Sequence, residues 1–265
     1  MPTSPAIALN NIRKVYPNGL VALDNMSLAI NESQFVSIVG PSGCGKSTVL
    51  RMIAGLSTPS YGKIHWAKNR GQSGLPNRAF VFQEAALMPW ATVTENIWLP
   101  LKLMKVPRQE AEIAVAEAIA LVGLKGFERA YPRELSGGMK MRVSIARSLV
   151  TKPDVLLMDE PFGALDEMTR SKLNRDLLDL WREKRWTVIF VTHNIYEAVY
   201  LSERVIVMAS RPGRAIADVA IAADYPRTEE FRLSPLYAKS CQTIVRSLAA
   251  AVEDTERNVE LSNRF

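Results

Sequence analysis

The chain holds only two cysteines and two histidines in 265 residues, and that scarcity removes several classes of protein at once. Cys44 and Cys241 cannot form the disulfide framework of a small secreted domain, so a reducing, cytoplasmic compartment is expected. His65 has no metal-ligand type beside it, and solvent exposure or packing is its expected role. No apolar run reaches the ~18 residues that a membrane span needs. The stretch 111–124 comes nearest, and Glu112 and Glu117 break it. The start, Met-Pro-Thr-Ser-Pro, lacks the basic and apolar regions of a signal peptide. Tandem repeats, heptad runs, zinc-type cysteine pairs and long basic blocks are also missing. The net charge of +6 is spread thinly along the chain, which speaks to solubility more than to nucleic acid.

What is present is enough chain for one large α/β domain with a substantial core. Apolar residues make up 48% and mean hydropathy is −0.01, which predicts a soluble globular protein. The stretch that organises the rest is Gly40-Pro41-Ser42-Gly43-Cys44-Gly45-Lys46-Ser47-Thr48. It follows the apolar run 35–39 and precedes a helical pattern, which is the context a phosphate-binding loop requires. Backbone N–H groups of such a loop, with the positive end of the following helix, cradle an anion. Lys46 is expected to bridge the β- and γ-phosphates of a nucleoside triphosphate, and Ser47 to place its hydroxyl on Mg²⁺. Tyr16, at the end of the first strand pattern, is placed to stack on a base.

Strands are expected over 7–15, 20–30, 35–39, 62–66 and 78–82, with an exposed loop over 68–77. Gln83 then opens a loop in which Leu87, Met88 and Trp90 surround a proline, so this apolar surface is either core or a docking face. Thr92 or Thr94 caps a helix to about Met104. A second helix, 108–122, is expected to put Ile113, Ala116 and Ala120 on one face. Two successive helices without a strand suggest a helical insertion in an alternating α/β order. Further on, Leu135-Ser-Gly-Gly leads into a helix to Val150, and a buried strand 155–158 ends in Asp159-Glu160. The helix 166–184 is expected to bury Leu173, Leu177, Leu180 and Trp181. Strand 187–191 ends near His193, strands are expected at 204–209 and 215–221, and a helix over 236–252 carries Ile244, Leu248 and Val252.

Ligands of open parallel sheets gather at the carboxyl ends of strands. Four such ends carry suitable groups: the loop at 40–48, Gln83, Asp159-Glu160 and His193. Asp159 suits Mg²⁺, Glu160 could orient or deprotonate water, Gln83 could reach metal and water, and His193 could bond the γ-phosphate. With Leu135-Ser136-Gly137-Gly138 and Gly163-Ala-Leu-Asp166 added in order, residues 6–222 resemble the ATPase subunit of an ABC transporter. The resemblance implies a P-loop NTPase with a RecA-like core, an N-terminal antiparallel β subdomain and a helical signature subdomain over about 84–150. On that division, residues 1–223 form a single ATPase domain and 224–265 a helical tail.

It also implies that two copies, or one copy with a second ABC subunit, clamp two ATP molecules. Ser136, Gly137 and Gly138 of one then close the other's site, with Asp166 at the coupling between subunits. Two positions depart from the family pattern: Met139 replaces a common glutamine, and Asn194 follows the histidine where aspartate is common. The run 83–90, Arg211-Pro-Gly-Arg214 and Tyr225-Pro-Arg227 are similar to the nitrate, sulfonate and taurine importer ATPases. This implies a peripheral subunit on the cytoplasmic face of the membrane. Its permease would dock near Leu87, Met88 and Trp90, with a periplasmic or surface solute-binding protein acting indirectly and no nucleic acid involved. An exporter or lipoprotein-release ATPase is the alternative, and a nucleic-acid-associated ABC ATPase the more distant one.

Overall fold

The computed structural model of the chain describes residues 5–67 and 76–262, with side chains as far as residue 251. Most of the expected loop at 68–77, up to position 75, lies outside the described residues. In chain order the elements are β1 (Ile7–Val15), β2 (Val21–Ile30), β3 (Phe35–Val39), α1 (Lys46–Ile53), β4 (Tyr61–Trp66), β5 (Arg78–Val81), α2 (Val93–Leu103) and α3 (Arg108–Leu121). A short 3₁₀ turn (Pro132–Glu134) precedes α4 (Gly137–Leu149), β6 (Val155–Asp159), α5 (Glu167–Lys184), β7 (Thr187–Val191), α6 (Ile195–Leu201), β8 (Arg204–Ala209), β9 (Arg214–Ala220), α7 (Glu229–Arg232) and α8 (Pro235–Ser262). They gather into two compact units, one built from β1–β4 with everything after Trp186, the other running from β5 to Trp186.

In the first unit β1 pairs antiparallel with β2 and β4, in the order β2-β1-β4. A second group runs β7-β3-β8-β9, the first three parallel and β9 an antiparallel edge. β3 and β7, FVSIV and TVIFV, are buried at every position, as parallel strands covered on both faces must be. The register sets Ile38 beside Val191 and Val39 beside Val207, so three carboxyl ends lie side by side. The helix α6 is absent from the sequence expectation because its last four residues, from Ala198 to Leu201, are all buried and leave no amphipathic stripe. The tail helix runs on to Ser262, ten residues past its expected end. It buries Tyr237, Cys241, Ile244 and Ala251, while Leu248 is half-buried.

In the second unit β5 and β6 pair in parallel, Val81 against Met158. α2 opens with a capping box: Thr92 Oγ1 accepts from the Glu95 N–H at 3.3 Å, and Glu95 accepts from the Thr92 N–H at 2.7 Å. Those bonds hold the Glu95 carboxyl below the usual carboxylate range. The face expected of α3 is corrected: Ala111, Val115, Ala118 and Ile119 are buried, and Ile113 is exposed. Both stripes of this alanine-rich helix have helical spacing. The Ile113 side is shared with the exposed Glu110 and Glu117, three residues before and four after it, so burying it would desolvate two charges. α5 buries Leu173, Leu177, Leu178 and Trp181, and Leu180 only in part.

Candidate functional site

In the first unit the chain leaves β3 at Gly40 and turns into α1 through Gly45, at φ 94°. Lys46 is 7% exposed, and its Nζ donates to the carbonyls of Gly40 (2.9 Å) and Pro41 (3.0 Å). Among the described residues, no carboxylate bonds it. α1 has no side-chain cap and no acidic residue in its first turn. A buried ammonium held by two carbonyls and a thiol sulfur, beside an uncapped helix N-terminus, is a site short of negative charge, and a triphosphate fits it. Cys44 lies beneath the loop, where burial pushes its thiol pKa up.

Tyr16 stands just past β1 with its hydroxyl 3.2 Å from Thr48 Oγ1, and Lys14 Nζ lies 5.4 Å from the ring centroid. That contact brings the expected base-stacking ring to the start of α1. His193 follows β7 and is exposed; the Thr192 N–H donates to Ile38 O at 3.3 Å, so the histidine stands beside the strand that opens the loop. The first unit therefore brings residues 40–48, Tyr16 and His193 together.

The segment after β8 supports this loop in a way the sequence did not suggest. A Cβ built on Gly213 would lie 2.1 Å from Cys44 O and 2.8 Å from Ala22 O, so backbone passes directly behind the phosphate loop. The Gly213 N–H donates to Ala22 O, and Gly213 O accepts from Asp24. Gly213→Ala is expected to cost about 1–3 kcal/mol through overpacking and to shrink the ATP-induced rise in melting temperature. A melting curve matching wild type, with and without ATP, would show that nothing behind the loop requires glycine.

In the second unit Gln83 follows β5 and is exposed, while Asp159 ends β6 and Glu160 adopts φ 47°. Because β5 and β6 are neighbours, the two strand ends carry the glutamine and the acidic pair on the same edge. The segment leading to α5 is held by the Gly163 N–H donating to Glu160 O (3.1 Å), and by Arg170 donating to Phe162 O (3.3 Å) and Leu165 O (2.9 Å). Asp166 caps α5 by accepting from the Thr169 N–H at 2.9 Å, which keeps its carboxyl pKa low. Ser136 caps α4 in the same way, accepting from the Met139 N–H at 3.3 Å. Gly138 is buried, and a Cβ there would meet Thr169 Cγ2 at 2.6 Å, so this glycine lets α4 approach the first turn of α5.

The loop after Gln83 is fixed from both sides. Asn96, fully buried on α2, accepts from the Met88 N–H (2.8 Å) and donates to the carbonyls of Met88, Ala91 and Thr92. Arg147 on α4 donates to Ala85 O (2.8 Å) and Ala86 O (2.9 Å), and burial lowers its pKa. Trp90 remains 76% exposed at the end of this loop, and Leu87 and Met88 are half-buried. Neither Asn96 nor Arg147 stood out in the sequence. A polar residue within a buried helical stripe was the available clue for Asn96.

Among the described residues, no group of three or more His, Cys, Asp or Glu side chains is placed to hold a metal ion. Mg²⁺ is usually bound through one or two carboxylates, phosphate oxygens and water, so its binding does not require such a group.

Residues 23–163 match the model of the ABC transporter family. A protein of Brucella abortus named for ATP binding is 47% identical over 234 residues, covering 88% of this chain and 90% of that protein. The aliphatic sulfonates import ATP-binding protein of Bacillus anthracis is 43% identical over 226 residues, covering 84% of this chain and 89% of its own. Among solved structures, a dimeric post-hydrolysis ATP-binding cassette bound to ADP and phosphate superposes with a TM-score of 0.70 at 34% identity, over 82% of this chain and all of that one. A cassette of Clostridium perfringens, part of the cbiONQ transporter complex, superposes with a TM-score of 0.74 at 28% identity, over 82% and 89% of the two chains. With a phosphate loop and strand-end groups in family order and relatives matched over most of its length, the chain belongs to the ATP-binding subunits of ABC transporters and is an ATPase.

Proposed function

We propose that this ATPase powers an importer of a small anion of the sulfonate, taurine or nitrate class. It would work on the cytoplasmic face of the membrane, through a separate permease supplied by a solute-binding protein. The observation that carries the importer reading is the identity, over most of the chain, to a protein named for aliphatic sulfonate import. The exposed Trp90 on a pinned loop supports a docking surface next to Gln83.

In this reading Lys46 and the loop N–H groups grip the phosphates and Tyr16 stacks on the base. Ser47, Asp159 and Gln83 would hold Mg²⁺, which when bound would supply neutralisation of the phosphate charge. Glu160 orients the attacking water and takes its proton, while His193 donates to the γ-phosphate. Ser136 and Gly137 of a second subunit close the site, with Gly138 setting the position of their helix, and ATP plus water leave as ADP and phosphate.

Two measurements test the reading. Cells lacking the gene should lose uptake of labelled alkanesulfonate, taurine or nitrate, and recover it with the wild-type gene. Trp90→Ala should restore uptake about tenfold less well, the effect of removing one interface anchor of roughly 1.4 kcal/mol or more. Its purified ATPase should stay near wild type. Normal uptake of all three solutes in the deletion strain would remove the importer reading, and full rescue by Trp90→Ala would move the docking surface elsewhere.

A further inference from the structure

We infer that Arg227 is a positioning residue for hydrolysis, closing the C-terminal end of α6 and thereby holding His193 beyond that helix's other end. The inference rests on the reading of His193 as a γ-phosphate contact. α6 has seven residues, too few to hold a helix by its own ladder, so contacts at its ends set where it lies. The Ser202 N–H closes Ala198 O at 3.1 Å, and the four carbonyls beyond it lie past the reach of the ladder.

The tail closes all four. One guanidinium nitrogen of Arg227 donates to Val199 O (2.8 Å), Tyr200 O (3.1 Å) and Ser202 O (2.8 Å). The Tyr225 hydroxyl takes Leu201 O at 2.9 Å. Arg227's other terminal nitrogen donates to Ala223 O (3.2 Å), and the Tyr200 hydroxyl donates back to Arg227 O (2.8 Å).

Arg227 is 3% exposed, and burial lowers its pKa. Its charge is met by the negative end of the helix dipole and by the rings of Tyr225 and Phe231, 4.3 and 5.1 Å from the guanidinium carbon. α8 adds a second grip, the Tyr237 hydroxyl donating to Tyr196 O at 3.0 Å.

At the other end His193 is tied to the same helix by both neighbours. Thr192 bonds the buried Glu197 carboxylate at 2.6 Å, the Asn194 N–H donates to Thr192 Oγ1 (3.0 Å), and Asn194 Oδ1 accepts from the Glu197 N–H (3.1 Å). A rotation of α6 therefore carries His193 with it. The stretch beginning at Tyr225 has a task in this arrangement: it fixes the angle at which a short helix presents a histidine beside the phosphate loop.

Steady-state ATP hydrolysis by the full chain tests this. Arg227→Lys keeps the charge but loses the planar fork that reaches several carbonyls. It should lower kcat about tenfold, within the ~100-fold that a misplacement of roughly 1 Å can cost. Its KM for ATP should stay within about twofold of wild type, because the loss falls on the transition state. Tyr225→Phe, which deletes one bond, should lower kcat about threefold in the same pattern, and it carries the test if Arg227→Lys folds poorly. In a His193→Ala background neither change should slow turnover further, since both act through the deleted side chain. Equal losses with and without His193, or a raised KM at unchanged kcat, would overturn the inference while leaving the histidine's own role standing. Full turnover by His193→Ala alone would remove that role and the inference with it.

Discussion

Glu160→Gln is expected to bind ATP as wild type does, to hydrolyse it about a thousandfold more slowly, and to accumulate as an ATP-bound dimer. Glutamine keeps the size of the side chain and its tolerance of the turn at φ 47°, but loses the basic carboxylate. General-base groups of this kind contribute about 10²–10⁴ in rate. In the proposed mechanism hydrolysis is what reopens the dimer, so blocking it traps the closed form. The second half of the test uses the signature. Ser136 is the N-cap of α4, so replacing it with arginine would damage the helix as well as obstruct a phosphate. Ser136→Asp is the sharper probe, because aspartate caps as well as serine and sets a negative charge against the opposing γ-phosphate. On size exclusion with ATP, wild type should run mostly as monomer, Glu160→Gln as dimer, and the Glu160→Gln, Ser136→Asp double variant as monomer again. Vigorous turnover by Glu160→Gln would move the base elsewhere, with His193 next in line. A variant that binds ATP yet stays monomeric, even with its membrane partner, would remove the two-subunit mechanism.

Lys46→Met is expected to lose ATP binding by about 100-fold or more, the sum of two charge-assisted hydrogen bonds at about 1.5–3 kcal/mol each. Methionine fills the same buried space without the ammonium, so the loss reports charge and not a cavity. Calorimetry would read the affinity directly, and melting gives an independent check. At an ATP concentration of about 100 Kd, wild type should gain about 2.7 kcal/mol of stability; Lys46→Met should gain almost none. Unchanged affinity in a folded Lys46→Met protein would mean that the loop does not hold the phosphates.

The phosphate loop was legible because its chemistry is local: nine consecutive residues between an apolar strand and a helix. The strand ends were legible for a related reason, since FVSIV, VLLM and TVIFV are short apolar runs followed at once by a glycine or a polar residue. Other features depend on chain brought from far away. Gly213 looks like half of an ordinary Pro-Gly turn until the backbone of Cys44 is placed against it. Arg227 stands out in the sequence only as the end of Tyr225-Pro-Arg227, with no task of its own until its bonds to the last carbonyls of α6 are seen. α3 misled for a different reason: alanine-rich helices offer more than one apolar stripe, and here the stripe with Val115 and Ile119 is buried while the one flanked by Glu110 and Glu117 faces solvent.

The pinned loop also has a mechanical consequence. Arg147 joins α4 to the backbone just before Trp90, and Gly137 begins the same helix ten residues earlier. At 1.5 Å per residue those points are about 15 Å apart along a stiff rod. A push on Trp90 is not absorbed by a slack loop, because Asn96 and Arg147 leave the backbone little freedom to yield. In the proposed mechanism that force would pass into α4 and travel lengthwise to Ser136, making the helix a lever whose load end is the proposed phosphate cap.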